Sequence, residues 1–267
     1  MDDIIIVKGA GDIATGIAHR LHRCGFRLLL TEIEKPTVVR RFASFANAVL
    51  KGEAEVEGVR AVKAECIEDI YEIWNNGHIP VLCDSELKIL EHIKPLAIVD
   101  AVLAKRNTGI HKGMAQVTIG AGPGFEAGVD VDAVVETKRG HDLGKVIYKG
   151  TACTDTGIPG SVMGYSQERL LRAPIAGITR NIREIGDAVK QGEVVAFVAD
   201  EPVKSNIDGV IRGLIADNTY VQRGLKIGDI DPRGIREYCF TISDKSRSVA
   251  GGVLEAILTL RKEKYGG

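Results

Sequence analysis

The chain has 267 residues, 45% of them hydrophobic and 27% charged, which is enough apolar chain for one large domain or two ordinary ones and excludes general disorder. Lys and Arg number 35 against 36 Asp and Glu, a net charge of −1, so no basic excess is present to hold nucleic acid or an anionic membrane. No apolar run approaches the ~18–20 residues of a membrane span. Five scattered cysteines without a CxxC pair argue against a disulfide scaffold and a zinc knuckle. Asp2 and Asp3, followed by the short run Ile4–Val7, are unlike a signal peptide, and a cytoplasmic protein is expected.

Ile4-Ile5-Ile6-Val7 is a continuous β-branched run of the kind buried on both faces of a parallel sheet. Directly after it, Gly9-Ala10-Gly11-Asp12-Ile13-Ala14 fits the G-x-G-x-x-G/A pattern of a nucleotide-binding turn. Gly9 permits the sharp turn, Gly11 lets backbone approach a phosphate, and the first amides of the following helix favour an anion. That helix carries Ile13, Ile17, Leu21 and Cys24 on one face and stops at Gly25. Arg27–Leu30 reads as a second strand leading to Glu32 and Glu34, either of which is placed to accept from ribose hydroxyls. Asp12 departs from the pattern, because its charge opposes a diphosphate; it is read as a cap, a cation contact or an orienting group. Thr15 and Gly16 extend the same side. His19 and His22 lack a third ligand nearby and are read as surface residues.

Further alternation follows. Cys66–Asn75 reads as a helix, Ile79–Cys83 as a strand, Leu87–Ile93 as a short helix and Leu96–Val99 as another strand. The strand-end residues Asp84 and Asp100 are caps or ligand contacts, and Lys105, Asn107 and Thr108 fall near the glycine turn. Gln116–Ile119 is a strand, and Gly120, Gly122 and Gly124 make either a tight loop or a second anion cradle. Val131–Glu136 precedes a loop in which Arg139 can grip phosphate and His141 can titrate near neutrality. Cys153 reads as an ordinary loop thiol, with no base beside it.

The last third repeats itself at an offset of 32 residues: Ile175 meets Ile207, Gly177 meets Gly209, Arg180 meets Arg212, Val189 meets Val221 and Gly192 meets Gly224. Such repeats cannot each close a core. The phrases Ala173–Gly177 and Ile185–Glu193 resemble biotinyl and lipoyl carrier domains, but the tip Ala199–Lys204 lacks their modified lysine. A terminal helix follows, capped by Ser243 or Asp244, with Val249, Val253, Ile257 and Leu260 as its stripe and Gly251-Gly252 inside it. The expected fold is an α/β Rossmann-like parallel sheet domain (1–110), a mixed β connection (111–170), a small all-β barrel-sandwich hybrid domain (171–240) and a C-terminal helix (241–267).

Taken together, Lys8–Gly16, Glu32–Pro36, Gly120–Phe125, Glu136–His141, Leu143-Gly144 and Lys226–Arg233 resemble the YqeB family, accessory proteins of selenium-dependent molybdenum hydroxylases. The resemblance covers essentially the whole chain. It implies a maturation role in which a molybdopterin dinucleotide or another nucleotide is handled, or selenium or sulfur insertion assisted, with apo-hydroxylase and other maturation factors as partners. The first half is similar in purpose to the XdhC accessory proteins. Phosphates would meet Gly9, Ala10 and Gly11, Glu32 a ribose, and Arg139 with His141 would close the far end. The alternative is an NAD(P)-dependent oxidoreductase using Gly9, Gly11, Ala14 and Glu32, although no Tyr-x-x-x-Lys pair stands in the first half. Self-association is left open.

Overall fold

The computed structural model describes residues 3–265; Asp2, on which part of the signal-peptide argument rests, lies outside them, as do Met1, Gly266 and Gly267. The chain forms two compact units, one of residues 1–36, 44–156 and 242–267, the other of residues 37–43 and 157–241.

The first unit takes its strands in chain order as β1 (Ile4–Lys8), β2 (Arg27–Glu32), β3 (Glu53–Val56), β4 (Val59–Ala64), β5 (Ile79–Cys83), β6 (Ala97–Asp100), β7 (Val117–Ala121), β8 (Glu126–Ala127), β9 (Ala133–Val135), β10 (Val146–Ile147) and β11 (Gly150–Thr151). Its helices are α1 (Asp12–Arg23), α2 (Asn47–Lys51), α3 (Ile67–Asn75) and α4 (Asp244–Tyr265). Nine strands form one sheet in the order β10-β9-β7-β6-β1-β2-β5-β4-β3. Its centre is parallel, but β3 and β10 run antiparallel at the two edges. The expected Rossmann-like parallel domain ending near residue 110 is therefore corrected: the sheet is mixed and continues through β7, β9 and β10 to Ile147.

Three local reasons explain what the expectation missed. Glu57 and Gly58 both take positive φ (48° and 76°), the geometry of a two-residue hairpin turn, so residues 53–64 fold back as β3 and β4. Leu87 has φ 59°, and the helix expected over residues 87–93 shrinks to a single tight turn at Lys88–Glu91. The stretch from 117 to 147 supplies buried apolar strands, Val117, Ile119, Ala133, Val134 and Val135, which can only be covered by joining the same sheet.

Helix α3 packs Ile70, Ile73 and Trp74 on the sheet face that carries Ile6, Leu29, Ile98 and Val134. Helix α4 lies on the other face, where Val135 meets it at Gly252. It runs beside α1 in the same direction, Gly16 next to Ser246 and Gly251 next to Arg20. The two helix N-termini therefore emerge side by side at the edge of the sheet where β1 and β6 end.

The second unit holds β12 (Leu170–Arg172), β13 (Gly177–Asn181), β14 (Ala188–Val189), β15 (Val194–Val198), β16 (Glu201–Lys204), β17 (Gly209–Leu214), β18 (Tyr220–Val221) and β19 (Lys226–Asp231). They form two separate four-stranded sheets, β12-β19-β17-β14 and β16-β15-β13-β18, antiparallel in every pairing, where a barrel-sandwich hybrid was expected. Their shared core includes Val195, Ile211, Leu214, Ile227 and Ile230. Among the described residues no helix is long and apolar enough to cross a membrane.

Candidate functional site

The glycine turn after β1 is fixed on one flank and open on the other. Gly9, at φ +95°, brings the turn so close to the exit of β6 that a Cβ there would stand 3.2 Å from the backbone of Ala101 and Val102. The carbonyl of Ala10 accepts from Ser44 Oγ and the Ala46 amide, both at 2.8 Å. The Ala10 amide donates to Glu32 Oε2 at 2.9 Å, and Glu32 Oε1 accepts from the Ile33 amide at 2.9 Å. Glu32 thus ties the turn to the end of β2, with an amide on each oxygen. Gly11 differs. It N-caps α1 in extended conformation with no side-chain cap, and a Cβ on it would meet nothing within 4 Å.

Beside this open flank stands Lys245, in the first turn of α4. Ser243 caps that helix, its Oγ accepting from the Ser246 amide at 3.1 Å. Lys245 is half-buried, and its ammonium makes no hydrogen bond or ion pair among the described residues. Burial holds its pKa below the usual lysine range; Asp12 opposes this most among the charges, Arg139 adds to it, and Asp155 and Glu136 also oppose it.

The neighbouring charges are already partnered. Arg139 grips Asp244 with two bonds, 2.6 and 2.8 Å, and Lys105 reaches Asp155 at 2.5 Å. Buried Glu136, just past β9, accepts from the amides of Lys138 and Cys153, both at 2.7 Å. Burial pushes the Glu136 carboxyl up, but those amide bonds outweigh it and hold the group below the usual carboxylate range. The Cys153 thiol, hydrogen-bonded to Glu136, is raised above the ordinary cysteine range and so stays protonated near neutrality.

Several sequence candidates are tied into the scaffold. Thr15 is fully buried, donating to the Ala10 carbonyl at 3.2 Å and accepting from the Phe45 amide at 2.8 Å. Gly16 is buried because a Cβ would come within 2.7 Å of Ser246 Cβ. Asn107 closes its own turn onto the amides of Gly109 and Ile110. Thr108 donates to buried Asp100 at 2.9 Å, and its carbonyl accepts from Lys8 at 2.7 Å. Gly120 makes room for the Phe125 ring, Gly122 for Thr137 and Gly124 for the backbone of Lys105 and Arg106, so these glycines serve close packing. His141 is exposed in the loop after Arg139.

The structure thus gathers Gly11, Asp12, Lys105 and Arg139 around a lysine that the sequence did not single out. The cap at Ser243 marked where α4 begins, but nothing local placed that start beside α1. Among the described residues no group of three His, Cys, Asp or Glu is arranged to hold a metal ion.

No protein-family model matches the chain. The Escherichia coli (strain K12) protein YqeB, uncharacterized, is 48% identical over 257 residues, covering 96% of this chain and 48% of the relative. The chain therefore spans about half the length of the curated relative it matches. It is a homologue of YqeB over nearly all its residues, which supports the YqeB family. An aspartoacylase family protein from Mesorhizobium loti shares 13% identity over 85% of this chain and 84% of its own, at a TM-score of 0.27. A succinylglutamate desuccinylase from a Silicibacter species shares 11% over 86% and 84%, also at 0.27. Scores that low establish neither a common fold nor a common chemistry.

Proposed function

We propose that this chain is a cytoplasmic accessory factor in the maturation of a selenium-dependent molybdenum hydroxylase, holding a nucleotide-bearing form of the molybdenum cofactor for delivery to the apo-enzyme. Kinship with YqeB, together with the motifs that resemble that family, supports the role. The observation that carries the binding site is the unpaired, half-buried ammonium of Lys245 beside the uncapped N-terminus of α1.

A diphosphate needs what these two features supply. The first-turn amides of α1 point donors at an anion, and the helix dipole adds partial positive charge. Lys245 has already lost part of its water shell without gaining a carboxylate, so an incoming phosphate restores a partner. The open space over Gly11 is the approach. Arg139 and Lys105 stand in exposed ion pairs, which exchange at little cost and can turn to a ligand. The residues here hold the nucleotide portion; the pterin and its metal are cargo.

Titration calorimetry with molybdopterin cytosine dinucleotide, CTP, ATP and NADH tests the reading. The pterin dinucleotide should bind, and Gly11→Val should weaken it at least tenfold, about 1.4 kcal/mol, without lowering thermal stability, since the added side chain enters open space. Lys245→Met should weaken binding similarly. Tight NADH binding with none of the pterin nucleotide would overturn the reading.

A further inference from the structure

The run Lys226–Arg233 takes no part in that site, yet β19 buries two carboxylates, Asp229 and Asp231. Buried acids persist only when hydrogen-bonded by partners of opposite charge, and both are. Arg169 donates to both oxygens of Asp229 at 3.1 Å. Arg233 donates to Asp231 from its amide at 3.1 Å, its Nε at 2.9 Å and its NH2 at 2.6 Å. These arginines have taken the acids.

Arg212, on β17 in the same sheet, has only a long ion pair to Asp231, which Arg233 already holds more closely. It is buried, its Nε lacks a hydrogen-bond partner, and its nearest carboxylate oxygen is Asp231 Oδ2 at 3.8 Å. Arg40 stands alongside, its Cγ 3.3 Å from where a Cβ on Gly213 would lie and its NH2 donating to the carbonyls of Tyr238 and Thr241. Burial first, and then the charge of Arg40, hold the Arg212 guanidinium below the usual arginine range. The fold does not require this. Arg180, the equivalent residue 32 positions earlier, is exposed and lies over the Phe197 ring at 4.4 Å.

We propose that the second unit binds the phosphate group of a small molecule on Arg212, with Arg40 completing the cradle and the partly exposed Arg233 at its mouth. Guanidinium forks match phosphate oxygens in pairs, and a phosphate of about two charges near neutrality suits adjacent arginines better than one carboxylate does. This inference rests on the second unit alone and stands apart from the Lys245 site.

The test uses the full chain carrying Gly11→Val, which silences the α1 N-terminus as a competing phosphate site. Inorganic phosphate and glycerol phosphate are titrated against chloride at matched ionic strength, following phosphorus-31 linewidth and melting temperature. Saturable broadening and a rise in Tm with phosphate, absent with chloride, are expected. Tighter binding of the ester assigns the site to an organic phosphate, and tighter binding of the inorganic ion to phosphate itself; either supports the site. Arg212→Met should lose at least tenfold in affinity yet melt no lower without ligand, because it removes a buried charge whose closest ion pair is 3.8 Å long and keeps the volume. A merely structural arginine gives the reverse, a lower Tm and an unchanged response, and that result overturns the proposal. So does the absence of any phosphate response in the Gly11→Val chain. Where Arg212→Met does not fold, Arg212→Lys keeps the charge without the fork, and unchanged affinity there also overturns it.

Discussion

A side chain's partners, more than its type, decide what it does in this protein. Thr15 and Glu32 have the chemistry of ligand contacts, yet each spends it inside the fold, bracing the glycine turn from α1 and from β2. Lys245 shows the opposite: an ordinary surface residue by type, it is left half-buried without a partner. The Thr15 assignment can be measured. Thr15→Val keeps the shape but leaves the Phe45 amide without its acceptor in a buried position. A loss of about 1–3 kcal/mol in urea unfolding is expected, with ligand affinity unchanged. Unchanged stability with weakened binding would return Thr15 to the ligand.

Among the elements, α4 does most to build the site, and its two inner glycines are not equivalent. A Cβ on Gly252 would collide with the carbonyl oxygen of Gly144 and stand 2.9 Å from Val135 Cγ1, while one on Gly251 meets only the end of the flexible Arg20 side chain at 3.6 Å. Helix propensity alone favours alanine at both by roughly 0.5–1 kcal/mol. Gly251→Ala should therefore stabilise by about that amount. Gly252→Ala should cost about 1–3 kcal/mol, because overpacking outweighs propensity. Thermal melts of the two variants moving in the same direction would contradict this packing. The sequence exposed the glycines and the apolar stripe of α4, since both are local. It did not expose Gly144 as the partner, more than 100 residues away.

At the scale of the molecule, the 32-residue duplication becomes a reciprocity between two sheets. Gly177 pairs with Val221 and, 32 residues on and back, Gly209 pairs with Val189. β15 pairs β13 as β19 pairs β17, and β16 lies against β15 as β12 lies against β19. Each repeat lends strands to the other's sheet, so neither closes a core alone. Both units also carry carboxyls held below their ordinary range: Asp132 and Glu136 in the first, Asp231 in the second, each with burial opposing and hydrogen bonds or cations prevailing. A depressed carboxyl adds stability above its unfolded pKa and loses it as pH falls through the folded value. Asp100 works against this, since burial raises it and its contribution grows as pH falls. The depressed carboxyls outweigh it, and His19 and His22, held by burial below the usual histidine range, lose their contribution first, so stability declines as pH falls below about 6.5 and falls further below about pH 4. Urea midpoints across that range check it, and a rise on acidification would be inconsistent.

The sequence alone determined the β1 run, the glycine turn, the faces of α1 and α4, the repeat offset and the motifs that tie the chain to its homologue. These rest on periodicity and spacing between near neighbours, where backbone preference and side-chain pattern act without help from the rest of the chain. Only the tertiary structure decided how far the mixed sheet runs, that Glu32 braces the turn, that the later glycines are packing gaps, and that Lys245 makes no ion pair among the described residues while Arg212 makes only a long one. Each depends on which distant residue arrives first to satisfy a buried group, and that competition is settled by three-dimensional proximity, not by composition or order along the chain.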